Sequence, residues 1–393
     1  MRVLVTENAG LYKTPDGKYY APTIYCSEFF QRYLRVFDQV RFLAKTRYVD
    51  SIDKSRYLPI ECKNLEVFEL PWYRGLKGML KKLPKLVVKY RKACDECDCY
   101  IFRVAQIESY MTFLLGKRRN RPIALEIVND PSSFPGMPSI FRWLNSKMLK
   151  HMIKKSNGVS YVTQNFLQER YPSMARIEGA SKYRFEEYYS SIELLEEELG
   201  NEKHYGNSLD RISISHVSNT ISGNGKGHRT LIEMVSILKK DGINAAVKFV
   251  GDGDHVTELR NYAKHLGVEE RVEFLGRLPE RKTVLEFIAS SDIFVYPTYS
   301  EGLPRCLIEA MAVGLPCLST PVGGIPELIE SKYLLSPDDS IGFAKSIERL
   351  IANPSELDIM SKKNLEVARN YTKEKLDERR KRFYSQLRRL AEV

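Results

Sequence analysis

The feature that most constrains this chain is an alternation of short apolar runs with amphipathic helical stretches, and it occurs twice. The first series has strand-like runs at 3–5, 40–45, 65–70, 99–103, 123–128 and 158–162, with helical patterns such as 27–37 and 139–155 between them. A turn-rich loop is expected over 8–23. The second series has strand-like runs at 211–215, 246–250, 272–275 and 293–296, with helical patterns at 228–241, 255–266, 304–313 and 326–329. Strands alternating with helices imply βαβ units and parallel sheets, an α/β class. Between the series, Glu193, Glu196, Glu197 and Glu198 crowd together and are followed by Gly200, His204, Gly206 and Asn207. We read this as an acidic helix with a solvated face, then a linker. A chain of 393 residues fits two large domains. They are expected over 1–205 and 206–370, with a charged helix over 371–393.

Composition narrows the class. Hydrophobic residues at 43% and charged residues at 28% exclude a disordered or fibrous chain. No apolar run approaches the ~18 residues of a membrane span. The start, Met1-Arg2-Val3-Leu4-Val5-Thr6-Glu7, lacks a cleavable signal pattern, so a cytoplasmic location is expected. Seven cysteines suit reduced thiols rather than a disulfide scaffold. Cys94, Cys97 and Cys99 lack a partner pair at zinc spacing, so no metal is expected. The net charge of +11 admits nucleic acid, anionic lipid or phosphorylated small molecules. Nucleic acid is disfavoured, because no zinc module, RNP-like aromatic motif or helix-turn-helix signature is present.

The chemistry concentrates after the last strand-like run. Glu301 and Glu309 flank Gly302-Leu303-Pro304-Arg305-Cys306-Leu307-Ile308 across a strand–loop–helix junction. A helix starting near Pro304 points its free N–H groups and positive dipole end at the loop, as an anion site requires. At 1.5 Å per helical residue the two carboxylates can grip groups about 10 Å apart on either side of a diphosphate. The layout suits a nucleotide-sugar, but taken alone a pair at this spacing is more readily a helix cap and a solvent-facing acid. Ser222-Gly223-Asn224-Gly225-Lys226-Gly227-His228 joins a strand to a helix, offering glycine backbone and a lysine to an anion. Gly227 stands where a Walker A loop needs Ser or Thr. Gly251-Asp252-Gly253-Asp254 closes another strand. Its doubly wound context favours a turn beside a ligand crevice over a metal-binding D-x-D.

These segments occur in a fixed order: Lys226-Gly227-His228, Val250-Gly251-Asp252-Gly253, Arg271 to Arg277, Tyr296-Pro297, Glu301 to Ala310, and Gly323-Gly324-Ile325-Pro326-Glu327. The set resembles the C-terminal domain of the GT-B glycosyltransferases of family 4. Gly158 to Thr163 is more loosely similar to the end of the N-terminal domain. The resemblance implies two doubly wound Rossmann-like domains facing a cleft, with a final helix returning to the first domain. It implies a nucleotide-sugar donor (a UDP-sugar is favoured), retention of anomeric configuration, and neither cofactor nor required metal. It puts Glu301 on donor-sugar hydroxyls, Glu309 on the ribose and Lys226 on the leaving diphosphate. Gly302, Leu303, Arg305, Cys306, Leu307, Asn219, Gly225 and Gly251 would line the donor site, with Gly276 and Arg277 near the base. Many members carry an Arg shortly before the lysine, where this chain has Ser218-Asn219-Thr220. Many also carry a His where it has Asn129 and Asp130. Asp130 or Asn129 takes its place, or the acceptor contact differs. Asp130 is assigned the catalytic role, and Gly10, Arg103 and Asn129 are assigned to the acceptor side, although Arg103 suits the surface nearly as well.

Residues 71–92 hold eight Lys or Arg, no acid, and interleaved aromatics such as Trp72 and Tyr73. Such a basic amphipathic segment suits an anionic membrane surface, and equally a solvated helix on the sheet. Pro84 argues against one continuous helix. A lipid-linked saccharide acceptor would place the protein peripherally on the inner face of the plasma membrane. The expected function is therefore sugar transfer in bacterial surface-polysaccharide assembly. A glycosyltransferase with a soluble acceptor and a catalytically silent sugar-nucleotide-binding protein are the alternatives.

Overall fold

A computed structural model describes residues 1–21, 25, 27–54, 57–117, 120–132, 138–206, 211–278 and 280–392. The first half carries strands β1 (Arg2–Lys13), β2 (Tyr19–Ala21), β3 (Gln39–Tyr48), β4 (Leu58–Pro59), β5 (Leu65–Pro71), β6 (Cys99–Val104), β7 (Ile123–Ile127), β8 (Gly158–Tyr161) and β9 (Phe185–Tyr188). Its helices are α1 (Ser27–Leu34), α2 (Gly75–Ala93), α3 (Ile107–Leu115), α4 (Ser139–Lys155), α5 (Phe166–Arg170) and α6 (Met174–Glu178). The second half carries β10 (Ile212–Thr220), β11 (Ala245–Asp252), β12 (Val272–Phe274), β13 (Ile293–Tyr296) and β14 (Cys317–Ser319). Its helices are α7 (His228–Lys240), α8 (Val256–His265), α9 (Arg281–Ala289), α10 (Arg305–Ala312), α11 (Ser340–Ala352), α12 (Pro354–Ala368) and α13 (Lys373–Ala391).

Two parallel sheets result. The first runs β5-β3-β1-β6-β7-β8-β9, with β2 and β4 added antiparallel beside the far end of β1. The second runs β12-β11-β10-β13-β14. Strands covered on both faces read as continuous apolar runs, and Ile123–Ile127 and Ile293–Tyr296 are buried at every position. In both sheets the order reverses beside the first strand of the half, the place where α/β sheets open a crevice at their carboxyl ends. The crevices face each other. A Cβ on Gly302, just beyond β13, would lie 2.5 Å from Val128 O, just beyond β7. The Glu327 carboxylate accepts the backbone N–H of Gln164, Asn165 and Phe166 at 2.6–3.0 Å, so the second half caps α5 of the first. The last helix, α13, packs back on β9, β6, β8 and α1.

Three local expectations are corrected. The loop expected from residue 8 is strand as far as Lys13, because Gly10 to Lys13 pair with Lys45 to Tyr48 after a bulge. The acidic stretch near Glu193 forms only the short 3-10 turn Glu196–Glu198; Glu196 and Glu197 are exposed as expected, but Glu193 pairs with Arg32 and Glu198 with Arg281. Helix α2 continues through Pro84. Pro84 sits on the exposed side, where the carbonyl it frees one turn back meets water, while Leu86, Tyr90 and Ala93 anchor the other side.

Candidate active site

The geometry starts at the end of β10. The chain turns through Gly223 and Gly225 and enters α7 with Gly227 as N-cap at φ 72°, ψ 22°. Only glycine fits, since a Cβ there would lie 2.1 Å from Pro297 O. Gly225 O is gripped from the other side by Tyr299 N at 3.1 Å and Thr298 Oγ1 at 3.2 Å. Lys226 is thereby fixed over the end of β13. Its Nζ donates to Glu301 Oε1, and Ser300 O lies 3.4 Å away. Tyr296 Oη donates to the same Glu301 oxygen at 2.6 Å. Beneath the lysine, burial and Lys226 itself push the His228 imidazole down to about 4. His228 thus stays neutral near pH 7, and Lys226 is the cation at this strand end.

Glu301 leads into α10, whose N-cap is Pro304 with no side-chain cap. The first amides of that helix therefore have no intrahelical acceptor and no capping oxygen. The Gly323-Gly324 turn closes beneath: Gly324 N donates to Gly302 O at 2.7 Å, and a Cβ on Gly323 (φ 58°) would lie 2.0 Å from Glu301 O. One turn into α10, Glu309 is only 15% exposed. Burial pushes its carboxyl above the ordinary value, against the pull of Arg281 and Arg305. Arg281 Nη1 donates to Glu309 Oε1 at 2.8 Å, and Arg281 Nε donates to Glu198 Oε1 at 2.9 Å. Sequence reasoning missed Arg281 and Glu198. The one available signal was an arginine opening the helix before β13.

The remaining residues expected on the donor side lie at the strand ends of the second sheet and at the start of α10. Asn219 is exposed at the end of β10. Gly251 N donates to Gly276 O at 2.9 Å, tying the ends of β11 and β12 together with exposed Arg277 beside them. Leu303 and Leu307 are buried supports, while Arg305 and Cys306 are partly exposed at the helix start. Burial pushes the Cys306 thiol up to about 12, which disfavours the thiolate.

On the first-half side the residues diverge. Asn129 faces the cleft, its Oδ1 3.2 Å from where a Gly302 Cβ would be. Gly10 makes room for the Trp72 indole, which lies 2.9 Å from its notional Cβ. Asp130 is 2% exposed, and its Oδ1 accepts Ser132 N, Ser132 Oγ and Tyr171 Oη at 2.8 Å each. Its other oxygen lies 3.3 Å from Arg170 Nε. That arrangement holds a loop and presents no oxygen free to act on a substrate. Arg103 is not a surface residue but lies buried beneath the carboxyl ends of β7 and β8, beside a small cavity that it lines with Glu126 and Val128. It is 8% exposed, ion-paired with Glu7 and, at 2.7 Å, with Glu126. Burial pushes Glu126 up, but Arg103 and the Tyr384 and Tyr189 hydroxyls outweigh it and hold the carboxyl below its ordinary value. Tyr384 comes from α13, so the buried pair also receives the returning helix.

A lysine on a glycine turn, an uncapped helix start and two flanking carboxylates, set on facing Rossmann-like sheets, define a class. Residues 217–367 match the glycosyl transferases group 1 and form a domain of that kind, on a GT-B fold. Protein CapJ of Staphylococcus aureus is 26% identical over 362 residues, 89% of this chain and 86% of CapJ. The putative colanic acid biosynthesis glycosyltransferase WcaL of Escherichia coli K12 is 33% identical over 142 residues, 34% of each chain, so that match spans about a third of WcaL. Among solved structures, sucrose-phosphate synthase from Thermosynechococcus elongatus superposes with TM-score 0.70 at 16% identity, covering 99% of both chains. Anabaena HepE in complex with UDP-glucose superposes with TM-score 0.67 at 16% identity, covering all of both.

Proposed function

We propose that the protein is a retaining, metal-independent glycosyltransferase. It moves a sugar from a nucleotide-sugar, a UDP-sugar by preference, to a lipid-linked saccharide in bacterial surface-polysaccharide assembly. The observation that carries this reading is the convergence of Lys226, Glu301 and the uncapped start of α10 on one strand-end crevice. Loss of a nucleoside diphosphate develops negative charge. An ammonium and backbone N–H groups already fixed where that charge appears stabilise the transition state without reorganising. Glu301 then takes the sugar hydroxyls and Glu309 the ribose hydroxyls. Lys226 leaves its ion pair with Glu301 for the diphosphate when the donor arrives.

The acceptor approaches from the facing edge, where Asn129 meets Gly302. An Escherichia coli relative, 31% identical over 117 residues, is named as a UDP-Gal galactosyltransferase acting on a GlcNAc-diphosphoundecaprenol, which supports both a UDP donor and a lipid-linked acceptor here. AmsK, for amylovoran biosynthesis in Erwinia amylovora, supports the polysaccharide assignment at 34% identity over 134 residues. The basic helix α2 brings the protein to the inner face of the membrane where such an acceptor lies.

The test is nucleoside-diphosphate release from UDP-, GDP- and ADP-sugars, with a chelator arm and with Lys226→Ala and Glu309→Ala beside the wild type. Release from one donor, unaffected by chelation and lost in both variants, is expected. Binding without release, even with membrane extract as acceptor source, makes the protein a silent sugar-nucleotide binder.

A further inference from the structure

The two faces of the first sheet are dressed differently. The steps β5→β6, β6→β7 and β7→β8 all move the same way across the sheet, so right-handed crossovers put α2, α3 and α4 on one face. The steps β1→β3 and β3→β5 move the other way, and α1 lies on the opposite face in contact with α13. Helices α2 and α3 touch. Tyr110 Oη donates to Asn145 O at 3.5 Å, and the Phe113 ring meets His151 edge-on at 5.9 Å, joining α3 to α4.

This layer combines two features. The first is an apolar cluster in the opening turns of α4: Ile140, Phe141, Trp143 and Leu144 are 56%, 50%, 54% and 46% exposed. Single exposed apolar side chains are ordinary, but four large ones within five residues form a patch. Leu76 and Leu80 of α2 extend the exposed apolar surface of the layer at 60% and 54%. The second feature is charge. The segments of α2 and α4 hold twelve Lys or Arg and no carboxylate, enough to account for the whole net charge of +11.

We propose that the α2–α3–α4 face docks on an anionic bilayer, with Phe141, Trp143 and their aliphatic neighbours inserted at the headgroup level. The α2 and α4 cations then pair with lipid phosphates. This deepens the membrane partner proposed above and moves the apolar anchor from residues 71–92 to the start of α4. Charge complementarity selects an anionic lipid surface. Exposed aromatics beside many lysines make a bilayer a better match than nucleic acid, which offers nothing to bury the apolar cluster.

The chain has only two tryptophans, Trp72 and Trp143, which makes the contact measurable. The full-length protein is mixed with phosphatidylcholine vesicles with or without phosphatidylglycerol, at low and high salt. Bound protein is read by co-sedimentation, and insertion by quenching of tryptophan emission with brominated lipid. Binding is expected only with phosphatidylglycerol, weakened by salt, with a blue shift and quenching that Trp143→Phe removes. Phe141→Ser/Trp143→Ser should lower bound protein ~10-fold or more from lost apolar burial, with unchanged circular dichroism. No binding to anionic vesicles, or quenching that survives Trp143→Phe, overturns the proposal. So does concentration-dependent self-association that the double variant abolishes, because the face is then an interface between copies. Nucleoside-diphosphate release is measured in parallel on the wild type and the double variant. Its absence in the wild type would sink the enzymatic reading while leaving the vesicle result standing.

Discussion

Arg281 donates to Glu309 across 2.8 Å, and the same guanidinium holds Glu198 of the segment between the two sheets at 2.9 Å. The carboxylate proposed to bind ribose is thus oriented by a residue from another helix and tied to the interdomain connection. Arg281→Gln keeps a donor but loses the charge and the fork. We expect the donor KM to rise ~10-fold, in line with ~1.4 kcal/mol of lost positioning, with a smaller change in kcat. Equal loss in KM and kcat, or none, would remove Arg281 from the site.

Lys226 carries the largest expected catalytic effect. Removing one preorganised group that stabilises developing charge typically costs ~10²–10³ in rate. Lys226→Ala should lower kcat by about that factor while the fold survives, because the side chain is one-third exposed. Steady-state kinetics with circular dichroism beside it would check this.

Gly227→Ala tests the backbone on which the lysine sits. A positive φ costs a non-glycine residue about 1 kcal/mol, and the methyl would also meet Pro297 O at 2.1 Å. A fall in stability on denaturant unfolding is expected together with lost activity. Activity kept at full stability would show that the turn adjusts.

Arg103→Met separates support from recognition. It strips the counter-charge from Glu7 and Glu126, both nearly fully buried. Breaking a buried pair in this way costs ~3–5 kcal/mol. The prediction is a strongly lowered melting temperature. A stable variant altered only in acceptor KM would contradict the buried-pair role.

The second half should be acid-sensitive through its histidines. Burial holds His228 down to about 4 and His216 well below its usual value. The unfolded chain binds these protons near pH 6.5 and the folded chain does not. The stabilisation is therefore complete above about pH 6.5 and is lost as pH falls toward 4. For His228 the full shift corresponds to at most about 3 kcal/mol. His228→Phe keeps the ring contacts with His216 and Phe249. Its melting temperature should fall less than that of the wild type between pH 7 and 5.

The residues that meet at the crevice of the second sheet were legible in advance because their signals are local. Lys226 follows a glycine turn at a strand end, and Glu301 precedes a helix that opens with proline. Strand-end position alone sends both to the same edge of a parallel sheet. The first-half residues were less legible. Asp130 and Arg103 also sit at strand ends, but whether such a side chain faces the cleft or is held beneath it depends on what packs over it. For Arg103 that is Glu7 and Glu126, and for Asp130 it is Tyr171 and Arg170.

Chain order and periodicity therefore determined the two parallel sheets, the crevice at their carboxyl ends and the basic character of α2. Those follow from short-range sterics and from the alternation of apolar and polar positions. Only the tertiary structure decided that Arg281 reaches Glu309, that Glu198 is held rather than solvated, that α2 runs through Pro84, and that the apolar end of α4 faces outward. Each of these depends on contacts between residues far apart in sequence, or on which face is covered, and no local pattern carries that information.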